Sequence, residues 1–131
     1  MVSLGTTAQR SENMNLDEEM AIYAKKNGYP IELIEKQTCD CGSDLFTLFS
    51  DDLEGGAYIV CSKCKKERDI RDSRMYIENK EQNICNCDEE SLQISIGVAF
   101  FKGTRDPRWI YVGARCPKCE LAGAYVDWKE N

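Results

Sequence analysis

The chain has 131 residues, with 17 Lys or Arg, 23 Asp or Glu and no histidine. That length predicts one domain, or two very small ones, and 42% apolar with 9% aromatic residues supplies a modest core, more than a disordered chain holds. The missing imidazole excludes Ser-His-Asp and Cys-His nucleophiles and the usual histidine-bearing catalytic zinc sites. No window approaches the roughly 18 apolar residues of a membrane span. The N-terminus has no basic segment followed by an apolar run, so a cytoplasmic protein is expected.

In chain order, residues 1–13 are polar and aperiodic and read as a disordered tail or a vector remnant, with Met14 as the natural start. Residues 14–37 form a helical segment. Asn15 caps a helix over 15–27, Asp17, Glu18 and Glu19 suit its first turn, Lys25 and Lys26 its last, and Gly28 ends it. Leu16, Met20, Tyr23 and Ala24 fall on one stripe, expected to pack on a sheet. Pro30 to Gln37 fits a short helix or a strand equally well.

Residues 38–80 form a first repeat. Leu45–Ser50 is a strand, DDLEGG at 51–56 a turn with the glycines such turns use, and Ala57–Cys61 the return strand. A short third strand is expected at Lys66–Ile70, and residues 73–84 link the repeats, with a short helix or strand around Met75–Ile77. Residues 81–131 form a second repeat. Leu92, Ile94, Ile96, Val98 and Phe100 alternate through a strand. KGTRDP at 102–107 turns, Arg108–Cys116 returns, and Gly123–Trp128 is a third strand. Both halves follow one plan: C-x-C, strand, turn, strand, C-x-x-C, strand.

The cysteines carry the strongest signal. Cys39 and Cys41, Cys61 and Cys64, Cys85 and Cys87, and Cys116 and Cys119 make four close pairs, C-x-C then C-x-x-C, twice over. Three readings compete. Zinc favours a tetrahedral shell of soft thiolates, and a C-x-x-C knuckle brings two sulfurs to one ion. Disulfides would suit a small secreted domain, but neighbouring C-x-C sulfurs bridge poorly to each other. Iron–sulfur clusters also take four cysteines, usually at other spacings. Zinc is favoured, two ions per chain. Each hairpin returns its second pair to its first, which groups Cys39, Cys41, Cys61 and Cys64 on one ion and Cys85, Cys87, Cys116 and Cys119 on the other.

TCDCG at 38–42 with CSKC at 61–64, and ICNC at 84–87 with CPKC at 116–119, resemble the four-cysteine sites of zinc-ribbon proteins. With YVDWK at 125–129, the region 38–128 is similar to small uncharacterised bacterial proteins built from tandem C-x-C/C-x-x-C ribbons. The C-x-C half-sites depart from the usual ribbon C-x-x-C. The resulting fold class is mainly β (small α+β), with two duplicated four-cysteine zinc-ribbon units of antiparallel hairpins and an N-terminal helix. A single ribbon has too small a core to stand alone. The two are expected to merge around Phe46, Leu48, Tyr58, Ile94, Ile96, Val98, Trp109 and Tyr111.

Charge narrows the partners. Residues 1–37, 38–80 and 81–131 hold four basic against six acidic groups, seven against nine, and six against eight, so each part is acidic. Two zinc-loaded tetrathiolate sites take the total from −6 to about −10. Nucleic-acid binding needs a basic face. The one local exception is Lys63, Lys65, Lys66, Arg68, Arg71 and Arg74, interspersed with Glu67, Asp69 and Asp72, which reads first as a solvated edge.

Two closed four-cysteine sites leave no spare thiol and no open metal position, and Asp51-Asp52 and Asp88-Glu89-Glu90 read as solvated loop carboxylates. The expectation is a non-enzyme that recognises another protein, including an acidic inhibitor or immunity-type protein steered to a basic partner. The alternatives are a nucleic-acid-associated ribbon using the Lys63–Arg74 stripe, and a zinc or redox sensor. Oligomeric state is left open. Among Trp109, Tyr111, Tyr125 and Trp128, Trp128 is expected to be the partly exposed aromatic.

Overall fold

The structure, a computed structural model, describes residues 15–130. The tail expected at 1–13, and Met14 as the start, lie outside the described residues. Helix α1 (Leu16–Asn27) follows the capping chemistry of its sequence. Asn15 Oδ1 accepts the backbone N–H of Asp17 at 2.8 Å and of Glu18 at 3.3 Å, and Gly28, at φ +93°, closes the other end. The ambiguous segment after it is a strand, β1 (Leu33–Lys36).

Seven strands follow: β2 (Phe46–Asp51), β3 (Gly56–Cys61), β4 (Glu67–Asp69), β5 (Glu81–Asn83), β6 (Gln93–Phe100), β7 (Pro107–Arg115) and β8 (Ala122–Lys129). A 3-10 turn, Ser73–Tyr76, occupies the expected linker. The fold is mainly β, with two antiparallel four-stranded sheets ordered β4-β3-β2-β5 and β1-β6-β7-β8. Strands β2-β3-β4 and β6-β7-β8 are the two expected triplets.

The outer strands add a feature that the repeat plan lacks. β1 leads into Cys39 yet pairs with β6 of the second unit, and β5 leads into Cys85 yet pairs with β2 of the first. The exchange is reciprocal in register. Gln82 lies opposite Phe49 as Lys36 lies opposite Ser95, and Glu81 opposite Ser50 as Glu35 opposite Ile96. At its centre Phe46 and Leu92, each the fifth residue after its C-x-C motif, exchange two backbone hydrogen bonds of 2.8 Å. The units are therefore related by an approximate two-fold passing between Phe46 and Leu92. Each completes the other's sheet.

One core lies between the sheets. Phe46, Leu48 and Ile59 from the first unit meet Leu92, Ile94, Val98, Ile110, Val112, Val126 and Trp128 from the second, and Cys39, Cys61, Cys85 and Cys116 belong to the same cluster. The alternate positions of β6 and β7 face α1 instead: Met20 and Ala24 bury against Ala99 and Tyr111. Close approach there needs glycine. A Cβ on Gly97 would lie 2.6 Å from Ile31 Cδ1, and one on Gly113 would overlap the Met20 thioether. Asp127 fastens the helix from the side, accepting Tyr23 Oη and Trp109 Nε1 at 2.7 Å each.

Three expectations change. Trp128 is only 7% exposed, because the 52–55 turn lies over it: a Cβ on Gly55 would sit 2.9 Å from Trp128 Cβ. Trp109 and Tyr111 belong to the helix-side cluster, and Tyr58 stacks on Phe49 on the outer face of its sheet, 5.0 Å between centroids, beneath the Arg74 guanidinium. Asp51 is buried, whereas Asp52 beside it is exposed.

Candidate metal centres

Each C-x-C pair sits in a tight turn before the first strand of its hairpin. Cys39 N–H bonds Ser43 O, and Gly42 N–H bonds Cys39 O, at 2.8 Å each; Cys85 N–H bonds Glu89 O at 2.9 Å and Asp88 N–H bonds Cys85 O at 2.8 Å. The turn needs a left-handed residue directly after the second cysteine. Gly42 supplies it at φ +93° and Asp88 at +73°, both residue types that tolerate that region. The C-x-x-C pairs sit where the second strand of each hairpin ends. Lys65 and Glu120, next after Cys64 and Cys119, turn back at φ +68° and +66° and donate their N–H to Cys61 O and Cys116 O.

These turns bring the sulfurs together. The first group is Cys39, Cys41, Cys61 and Cys64, the second Cys85, Cys87, Cys116 and Cys119, and within each all four sulfurs lie within 4.8 Å of one another. Cys39–Cys64 and Cys41–Cys61 are 3.5 and 3.6 Å apart, and the matching Cys85–Cys119 and Cys87–Cys116 distances are 3.4 and 3.5 Å. The grouping follows the sequential scheme, each hairpin closing on itself.

The distances fit a single tetrahedral ion in each group, rather than a disulfide or a multi-iron cluster. Four sulfurs at about 2.3 Å from a central zinc stand about 3.8 Å apart along a tetrahedron's edges. The observed separations are close to that, and well beyond the roughly 2.05 Å of a disulfide. A multi-iron cluster interposes further atoms between its cysteines and spreads them wider than these groups. Both groups are thus compatible with one zinc each, two per chain. Bound there, zinc would close a tetrahedral thiolate shell of net −2 that cross-links turn to knuckle and supplies folding free energy.

Backbone amides favour the thiolate at one cysteine of each group, Cys61 and Cys87, while Cys64, Cys85 and Cys119 are shifted the other way. Cys64 N–H points at Cys61 Sγ at 3.5 Å, and Cys119 N–H at Cys116 Sγ at 3.4 Å. The Cys64 amide is the main reason that the Cys61 thiol is pulled down to about 6. The Glu89 backbone amide likewise lowers Cys87, whereas burial raises Cys85. Each group is half inside the core: Cys39, Cys61, Cys85 and Cys116 are buried, while Cys41, Cys64 and Cys119 are exposed and Cys87 lies between.

Two features escaped sequence reasoning, one beside the second sulfur group and one at the far end of the first hairpin. The β7–β8 register shifts between Val112 and Gly113, leaving Tyr125 as the extra residue beside the second group. Burial, then the nearby sulfurs, raise its phenol to about 12. Asp51 is a hub: Oδ1 accepts the N–H of Leu53 and Glu54 at 3.1 and 3.2 Å, and Oδ2 those of Glu78 and Asn79 at 3.0 Å. These four amides hold its carboxyl below the usual range and tie the hairpin turn to the linker. An Asp at a turn start signals the first two bonds; nothing local signals the others.

The basic stripe is largely spent within the chain. Arg74 pairs with Glu67 and Asp69, Lys66 with Asp40 at 2.7 Å, and Arg71 with Glu130 at 3.4 Å, while Arg68 donates to Gln37 and the Thr38 carbonyl. Among the described residues no helix is long and apolar enough to cross a membrane. No protein-family model matches the chain, nor does any curated protein or solved structure match it significantly.

Proposed function

We propose that this chain is a non-catalytic tandem zinc-ribbon protein whose two metals are structural and which acts by recognising another protein. The observation that carries this reading is the closed, half-buried four-sulfur group, present twice and built into one core. A catalytic zinc needs a position for water or substrate, and four cysteines per ion leave none. The absence of histidine removes the commonest general base. With the metals committed to the scaffold, the surface is what remains to act. Its acidity suits a basic protein partner of the inhibitor or immunity type.

The test is cross-linking of the zinc-loaded protein through its surface lysines in a lysate of its source cell, with and without nuclease. The expected result is a defined protein partner, retained after nuclease and lost once chelation unfolds the ribbons. Recovery of only nuclease-sensitive species, or no cross-linked protein, overturns the proposal.

A further inference from the structure

We infer that the cleft between the 52–55 turn and the 3-10 turn is where that partner docks, and that it takes an apolar side chain flanked by lysine or arginine; this rests on the protein-recognition reading above. The cleft measures about 240 Å3, and Trp128 lies in its lining. Large apolar side chains stand open around it. Met75 is 76% exposed and Tyr76 58%, and Leu53, in the turn alongside, is 94% exposed. Core-type residues in one exposed patch mark an interaction surface more often than chance does.

The backbone is set to present them. Arg71 and Asp72, neither a glycine, are consecutive left-handed residues at φ +54° and +57°. The conformation serves no helix cap, because the Asp72 side chain makes no capping bond. Buried Ser73 anchors the segment instead, its hydroxyl held by Ile70 O at 2.6 Å, Ala57 O at 3.2 Å and Ala57 N–H at 3.0 Å. Arg71 is further tied to Glu130. The strain falls on Arg71, since aspartate tolerates that region, and strain maintained by such anchors is characteristic of functional surfaces. Met75 and Tyr76 stand outward two and three residues after buried Ser73.

Charge selects the occupant. Glu54 and Asp72 line the cleft, and Glu78 lies close enough to Glu54 that their repulsion raises the Glu54 carboxyl. Of the two cations in the lining, Arg71 and Lys129, the first is already paired. A partner's cation beside Glu54 and Glu78 would relieve that repulsion while its apolar neighbour covers Met75 and Tyr76. A nucleic acid would meet the same carboxylates unfavourably.

The experiment pans the zinc-loaded full chain against a random peptide library, then titrates the enriched peptides while following both tryptophan indole N–H resonances. The expected peptides carry an aliphatic or aromatic residue flanked by Lys or Arg and shift the Trp128 resonance. Met75→Glu and Glu54→Lys, both at exposed positions, weaken them by about tenfold or more, and Phe101→Ala, outside the cleft lining, leaves them unchanged. Peptides that are acidic, or that shift Trp109 and weaken with Phe101→Ala, overturn the cleft while leaving protein recognition standing. Enrichment of no peptide overturns the cleft as a peptide dock, and the lysine cross-linking then decides the broader reading independently.

Discussion

Replacing Phe46 by alanine attacks the point where the two units meet. Phe46 is 1% exposed, lies opposite Cys61 in the β2–β3 register, and exchanges its backbone hydrogen bonds with Leu92. Its whole side chain is transferred from water, worth about 1.5–3 kcal/mol, and the cavity left in a shared core raises the expected loss to about 3–5 kcal/mol. That is a large part of the roughly 5–15 kcal/mol that holds a domain together. Metal binding draws on the same folding free energy, so a loss of about 3 kcal/mol appears as about a hundredfold weaker retention of zinc against a competing chelator. Urea unfolding of the zinc-loaded protein, followed by tryptophan fluorescence, gives the first quantity and chelator competition the second. Because Leu92 is the symmetric partner, Leu92→Ala should cost about 2–5 kcal/mol and weaken both metal groups in the same way. Phe101→Ala, at a position 42% exposed, should stay within about 1 kcal/mol. A loss below about 1 kcal/mol for Phe46→Ala, or zinc release confined to the first group, would refute the shared-core argument.

Cys39→Ser should abolish zinc at the first group and also raise chelator sensitivity at the second, because β1, which leads into Cys39, is an edge strand of the second unit's sheet; metal counting on the variant separates this from independent sites. Gly113→Val places a side chain where Met20 lies, with its Cβ 2.6 Å from Met20 Cγ, and should cost about 1–3 kcal/mol. Hydrogen exchange should then show α1 losing protection while zinc content is unchanged. The hydrogen bond to Asp127, with partial burial, raises Tyr23 from 10.0 to about 12. Its folded value lies above the unfolded one, so its contribution is fully present below pH 10 and is lost as pH rises towards 12. Tyr23→Phe should remove that alkaline loss, seen as a flatter urea midpoint across the window.

The parts of the fold legible in the sequence are those encoded locally. Asn15 and Gly28 bracket α1 because capping is short-range chemistry, and alternation along 92–100 reveals β6 because its two faces meet different environments. The cysteine groups were legible because a knuckle's ligands are fixed by spacing, and each hairpin closes over a short distance. The strand exchange was not. LIEK in β1 and EQN in β5 are too short and too polar to show a period, and their pairing depends on contacts between units. Trp128 looked exposed from its charged neighbours Asp127 and Lys129, but those residues point to the other face or to solvent while Gly55 closes over the indole. Asp51 looked solvated because two of its four amide donors come from the distant linker residues Glu78 and Asn79.

Metal counting by native mass spectrometry, joined to X-ray absorption at the zinc edge on protein purified without chelator, tests the central claim directly. Two zinc ions per chain, each surrounded only by sulfur at about 2.3 Å with four scatterers, is the predicted result. One zinc, oxygen or nitrogen in the shell, iron in place of zinc, or a metal-free chain lighter by the hydrogens lost to disulfides would contradict it.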